Sequence, residues 1–120
     1  MTERQRRGAR AEAAAEAHLE RLGLRVLERN LRVGRLEVDL VAIDGEAIAL
    51  VEVRSRGATA WTGAAESVDR KKRDRLRRAG QLLWSRRFSK MPGIQRVRFD
   101  VCAVDLSGEQ PVVEWIRAAF

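Results

Sequence analysis

The sequence predicts one domain of mixed α/β (α+β) class, in the order helix, three strands, helix, two strands, with a mixed sheet flanked by the helices. Three observations predict it. A helical stripe opens the chain, two Val-, Ile- and Leu-rich segments flank Asp44-Gly45, and a second helical stripe separates them from two further alternating segments. The 120 residues suffice for a single core of two packed layers, so residues 1–120 are read as one domain.

Residues 1–7 are polar and basic and are expected to be flexible. From Gly8 to about Leu22, the residues Ala11, Ala15, Leu19 and Leu22 recur at helical spacing, and Gly23 follows where a helix usually stops. Arg25 to Asn30 alternates as a short strand. Leu36–Ile43 and Glu46–Ser55 are joined by Asp44-Gly45, a pair favoured in two-residue type I′ turns, and so predict a β-hairpin. Gly57, Thr59, Thr62 and Gly63 mark a loop over 56–66. Ser67 is placed to cap a helix from about Val68 to Phe88, whose apolar face is Val68, Leu76, Ala79 and Leu83, and Met91-Pro92-Gly93 ends it. Val97, Phe99, Val101 and Ala103 then alternate inward along a strand from Arg96 to Leu106. Ser107-Gly108 turns the chain, and Val112 to Ile116 forms a short final strand.

Charge narrows the function. Lys plus Arg total 24 against 17 Asp plus Glu, a formal charge of +7 with a pI near 11.1, the balance of a protein with an anionic partner. Apolar runs such as Leu40–Ile43 and Ala47–Val51 fall far short of the roughly 18 residues a membrane span needs, so no membrane partner is expected. Charges from Glu3 onward, with Glu12 and Glu16 inside the alanine-rich stretch, leave no uncharged secretory segment, and a cytoplasmic location is expected. Cys102 and His18 each stand alone, which excludes a disulfide framework and a Cys/His zinc site built within one chain. A serine triad would have only His18 as its base, with no serine in a nucleophile-elbow context. Cys102 is expected to pack as a small apolar residue, and Trp84 and Trp115 to pack in or beside the core.

The hairpin holds the candidate chemistry. Alternation puts Glu37 and Asp39 on one face of its first strand and Glu52 and Arg54 on one face of its second. A two-residue loop at Asp44-Gly45 pairs Ile43 with Glu46 and sets Glu37 opposite Glu52; a longer loop sets Asp39 opposite Glu52 instead. Either register leaves the four polar groups on one face. Three carboxylates together repel one another and require a cation, of which Arg54 supplies one charge and a divalent ion would supply two. The all-oxygen donor set suits Mg2+ or Mn2+ rather than zinc. The plain alternative is a solvated sheet face whose charges happen to cluster.

Between Asp69 and Arg78, seven basic residues stand against two acidic ones, among them Arg70, Lys71, Arg73 and Arg75. A helix N-terminal half prefers anions, so this crowding fits an external anion such as a phosphate. Lys72 lies within the apolar stripe, which points its ammonium along the core face towards the sheet; a lysine snorkelling at the core rim would show the same spacing. Trp61, in the loop, is the aromatic placed to stack on a base, and no signature of base-specific readout is visible.

With Glu37-Val38-Asp39, Glu52-Val53-Arg54 and Lys72 in place, the sequence resembles the PD-(D/E)XK nuclease superfamily, and more closely its YraN-like family of predicted endonucleases. Gly8 through Glu12 with Ala15 and Leu19, Leu36 to Leu40, Val51 to Arg56, Ser67-Val68, Arg98 to Val101 and Glu114-Trp115-Ile116 match that family's blocks in order over nearly the whole chain. The resemblance implies a restriction-endonuclease-like core and a Mg2+- or Mn2+-dependent site. Asp39, Glu52 and the Val53 carbonyl would be metal ligands, with Glu37 as a further candidate. Glu12 would be a further acid from the first helix, and Arg54 and Lys72 would hold the scissile phosphate. Arg54 stands where the superfamily pattern has lysine; a guanidinium does not act as a base, but its planar fork suits it to orient a phosphate.

The expected function is a metal-dependent endonuclease acting on nucleic acid, DNA in the first place, directed by structure rather than sequence. Arg70, Lys71, Arg73, Arg75, Arg56 and Trp61 are the expected nucleic-acid contacts, and a homodimer is compatible with an exposed sheet edge. The alternative is a nucleic-acid-binding or recombination and repair accessory module that keeps the fold and cuts poorly.

Overall fold

In a computed structural model that describes residues 1–56 and 68–120, with Arg56 described by its backbone, five strands form one sheet in chain order. Helix α1 (Glu3–Arg21) is followed by β1 (Arg25–Val33), β2 (Leu36–Asp44) and β3 (Ala47–Arg56). Helix α2 (Arg70–Arg86) and a single 3-10 turn (Phe88–Lys90) lead to β4 (Arg96–Asp105) and β5 (Val112–Ile116). The pairs β1–β2, β2–β3 and β4–β5 are antiparallel. The pair β3–β4 is parallel, as a connection through a helix allows, so the predicted mixed sheet flanked by helices is the observed one.

The helices take opposite faces. Ala11, Ala15 and Leu19 of α1 are buried against Leu40, Ala42, Ala49, Val51, Cys102 and Val104. The two alanines let the helix lie close to the sheet. On the other face, Leu76 and Phe88 pack with Val38, Val41, Ile48, Leu50, Val101 and Ala103. Strands β3 and β4 are therefore covered on both sides, which accounts for their nearly unbroken apolar sequence. Gly80, inside α2, marks the closest approach: a Cβ there would come within 2.7 Å of the Phe99 ring.

Several boundaries differ from the expectation. Helix α1 begins at Glu3 rather than Gly8 because Thr2 and Gln5 form a reciprocal capping box: Gln5 N–H donates to Thr2 Oγ1 at 3.1 Å and Thr2 N–H to Gln5 Oε1 at 2.9 Å. Its other end is the expected glycine stop. Leu24 N–H returns to the Leu19 carbonyl and Gly23 N–H to Glu20, with Gly23 at φ +95. Strand β1 runs on past Asn30 to Val33 because β2 pairs with it throughout, across an irregularity at Leu27. The cap of α2 is Asp69, whose carboxylate accepts from Lys72 N–H at 2.9 Å. Ser67, Trp61 and the expected loop lie outside the described residues.

The hairpin turn is also displaced. Asp44 pairs with Ala47 and Ile43 with Ile48, so the two loop residues are Gly45-Glu46 rather than Asp44-Gly45. Gly45, at φ +59, takes the first central position, the one a type II′ turn reserves for glycine. This is the register that sets Asp39 rather than Glu37 opposite Glu52. The β2–β3 ladder ends at Leu40–Val51, and beyond it Leu36–Val38 pair only with β1 while Glu52–Arg56 pair only with β4. The strands thus separate where the carboxylates begin.

Candidate active site

Strict alternation would put Val38 and Leu40 on one face, yet Val38 packs on the α2 side and Leu40 on the α1 side. The alternation breaks at Asp39. Beside this break, Asp39 Oδ2 accepts the N–H of Val53 at 2.8 Å. The carboxylate occupies the ladder position that a backbone carbonyl of β2 would hold if the strands stayed paired. The expected common face for Glu37, Asp39, Glu52 and Arg54 is therefore broken: Asp39 turns across the gap between the separating strands, and Glu37 stays exposed beside Asn30.

Glu52 is 5% exposed, and a buried carboxylate needs a partner. It has two cations. Lys72 Nζ, from the first turn of α2, forms an ion pair with Glu52 Oε1, and Arg54 Nε stands 3.6 Å from the same oxygen. The lysine in the apolar stripe reaches β3 from the first turn of α2, which the Asp69 cap begins. Asn30 completes the acidic side. At φ +52, a left-handed conformation that asparagine tolerates, it reaches Glu12 Oε1 at 2.9 Å and Glu37 Oε1 at 3.0 Å when its amide is oriented to donate. Glu12 is half-buried on α1, and Glu37 is exposed.

The electrostatics follow from this crowding. Burial, then the charge of Glu52 and that of Glu12, push the Asp39 carboxyl up to about 7; the Val53 N–H and the Lys72 ammonium only partly offset them. Glu12 is raised as well, by burial first and by Glu37 and Glu52 after it, against the Asn30 hydrogen bond. Lys72 thus offsets only part of the burial and negative charge on the Asp39 side. Among the described residues, no three His, Cys, Asp or Glu side chains are drawn together tightly enough to hold a metal ion by themselves. Asp39 and Glu52 offer a two-carboxylate, oxygen-only donor set. Val53 contributes its N–H to Asp39.

The expected nucleic-acid contacts divide. Arg70, Lys71 and Arg75 are exposed along α2. Arg73 instead turns inward, donating through Nε to the Val68 carbonyl at 2.8 Å and covering the Phe120 ring at 5.5 Å. The side chain of Arg56 and all of Trp61 lie outside the described residues. Cys102 is fully buried, and burial followed by the Asp100 charge pushes its thiol up to about 12, so it is a packed thiol. Asn30 is the site residue that spacing did not single out. Its signal was an asparagine, a residue that tolerates positive φ, at the expected end of the strand.

The model of the uncharacterised protein family UPF0102 matches residues 11–104. The chain is 51% identical over 114 residues to a UPF0102 protein of Sorangium cellulosum, spanning 94% of this chain and 79% of that relative. It is 46% identical to a UPF0102 protein of Stutzerimonas stutzeri, over all of this chain and 98% of the relative. With a UPF0102 protein of Pseudomonas aeruginosa the identity is 44%, again over all of this chain and 98% of the relative.

Proposed function

The chain belongs to the uncharacterised protein family UPF0102, and we propose that it is a divalent-metal-dependent endonuclease. It would hydrolyse phosphodiester bonds in nucleic acid, DNA in the first place, directed by the shape of the substrate. One observation carries this reading: Asp39, Glu52, Arg54 and Lys72, from three elements, meet at the point where β2 and β3 separate. The resemblance of the same residues to the PD-(D/E)XK superfamily and its YraN-like family supports it.

Asp39 and Glu52 would hold Mg2+ or Mn2+, ions that proteins commonly bind through one or two carboxylates with substrate phosphate completing the shell. Burial, and after it the repulsion of Glu52 and Glu12, raises Asp39, and a divalent charge would offset that repulsion. Bound there, the ion supplies Lewis acidity to the scissile phosphate and its attacking water. Lys72 and Arg54 bring two positive groups to the carboxylates, where they orient the phosphate and stabilise the charge that grows on its oxygens. Arg54 acts through position and charge, since its guanidinium keeps its proton. Glu12, held by Asn30 and close enough for its charge to raise Asp39, would serve as a further acid.

The test is cleavage of labelled single-stranded, duplex, flap and four-way DNA with magnesium, manganese or EDTA. Cutting is expected only with metal and is expected to fall by at least about 100-fold in Asp39→Ala and Glu52→Ala. Cutting in EDTA, or cutting that survives both substitutions, overturns the reading. The arginine at position 54 favours one other reading, a binding or recombination and repair accessory module. Salt-sensitive binding without cutting, unchanged in both variants, would select it.

A further inference from the structure

The β1–β2 turn and α2 enclose a groove of about 610 Å³. Three arginines line it, Arg35 from the turn and Arg75 and Arg78 from the helix, together with apolar Leu36, Ala79 and Leu82. All three arginines are exposed, and among the described residues none of them pairs with a carboxylate. Their neighbours on α2 are committed elsewhere: Arg73 and Arg77 lie over Phe120, and Arg77 also reaches Asp74. The groove therefore concentrates uncompensated positive charge, which selects an anionic occupant.

Its lining leads along both elements towards the carboxylates. Leu36 precedes Glu37 on β2, and Arg75 lies about one helical turn beyond Lys72. From Lys72 to Arg78 the helix advances about 9 Å, at about 1.5 Å per residue. That length spans two to three charges at the B-form spacing of about 3.4 Å per strand, and fewer in an extended strand. A duplex keeps its bases inside and would present only sugars and phosphates to the apolar lining. A single strand can turn base and sugar faces onto Leu36, Ala79 and Leu82 while its phosphates meet the arginines.

We propose that this groove binds a single-stranded flank of the nucleic-acid substrate and leads it to the carboxylates, so that recognition of strand shape resides in Arg35, Arg75 and Arg78. The assignment rests on the reading of the site as one that acts on nucleic acid. Its test is equilibrium binding in EDTA, where no cutting is expected, using a short dye-labelled single strand and the matching duplex. Replacing Arg35, Arg75 and Arg78 with alanine is compared with replacing Arg4, Arg7 and Arg10 of α1, equal in charge and also exposed. The groove triple is expected to lose about tenfold or more in single-strand affinity, to flatten the log–log salt slope by about 2, and to lose much less on the duplex. The α1 triple is expected to stay within about twofold. Equal losses in the two triples, or a loss on the duplex alone, overturn the proposal. Single Arg75→Glu and Arg78→Glu variants, at exposed positions, repeat the test if the triple melts low. Binding that fails only in the groove triple, beside cutting that ignores Asp39→Ala and Glu52→Ala, would keep the groove and discard the nuclease.

Discussion

Asp39 is the residue whose chemistry depends most on its surroundings. Its carboxyl, at about 7, holds a proton in the folded protein between about pH 4 and 7 that the unfolded chain has released. Stability therefore falls as pH rises through that window, and the loss is complete above it. In EDTA, Asp39→Asn, which can still accept the Val53 N–H, is expected to melt higher than the parent at pH 8, by roughly 3 °C or more, and no higher at pH 4. Magnesium is expected to raise the parent's melting point at pH 8 and to leave the variant's unchanged. A parent that is the more stable at pH 8 without metal would contradict the account. Lys72→Met should cost about 1–2 kcal/mol, because it strips one of two cations from buried Glu52, while the partial exposure of Lys72 keeps the loss below that of a fully buried pair. Adding Glu52→Gln should recover part of that loss, as denaturant melts of the single and double variants would reveal.

At the scale of the element, the helices and strands were readable because their apolar periods are long, and their ends were not. Local chemistry sets an end. Thr2 with Gln5 starts α1 where the basic run suggested a loose terminus, and Asp69, two residues beyond the expected Ser67, caps α2 by accepting the N–H of Lys72. Asp69→Ala should cost about 1 kcal/mol in a thermal or denaturant melt, the usual loss of a side-chain cap, and it should also loosen Lys72 above Glu52. The hairpin shows the same limit. Asp44-Gly45 marked a turn correctly, but the side chains of Asp44 and Arg98, 2.9 Å apart, belong to the strand region, and the turn moves one residue along. The positive φ of Gly45 is needed in either register, so the glycine announced a turn without announcing which pairs it would make.

Across the whole molecule, Asp100 joins β4, β5 and the C-terminal segment. It is fully buried on β4 and accepts from Arg98 Nε at 2.9 Å and Nη2 at 2.8 Å, from Trp115 Nε1 of β5 at 2.9 Å, and from the Ala118 N–H at 3.0 Å. Arg98 carries the network to Asp44 at the hairpin end. Four donors would lose their acceptor in Asp100→Ala, and a half-buried guanidinium would lose its main partner. A loss of about 3–5 kcal/mol is expected in equilibrium unfolding. A loss below about 1 kcal/mol would mean that water replaces the carboxylate and that the network does not hold the C-terminal strand. The C-terminal segment is held a second way, by the Ala119 N–H on the Phe99 carbonyl and by Phe120 stacked on Phe99.

The sequence by itself determined the order of the elements, the apolar stripes of the two helices and the residue types of the site, because hydrophobic period and charge are properties of neighbours along the chain. Leu76 and Ala79 fell inward, Val112–Ile116 formed the last strand, and Glu52, Arg54 and Lys72 were already candidates. Only the tertiary structure decided how those candidates meet. Asp39 enters the site through a break in strand alternation, and its carboxylate takes the Val53 N–H that the parting of β2 from β3 left open. Asn30, 18 residues from Glu12 and 7 from Glu37 in the chain, becomes their common hydrogen-bond donor through a left-handed backbone turn. Such contacts arise from where strands separate and helices dock, and the free energies that set those choices are summed over the whole core rather than written in any local pattern of residues.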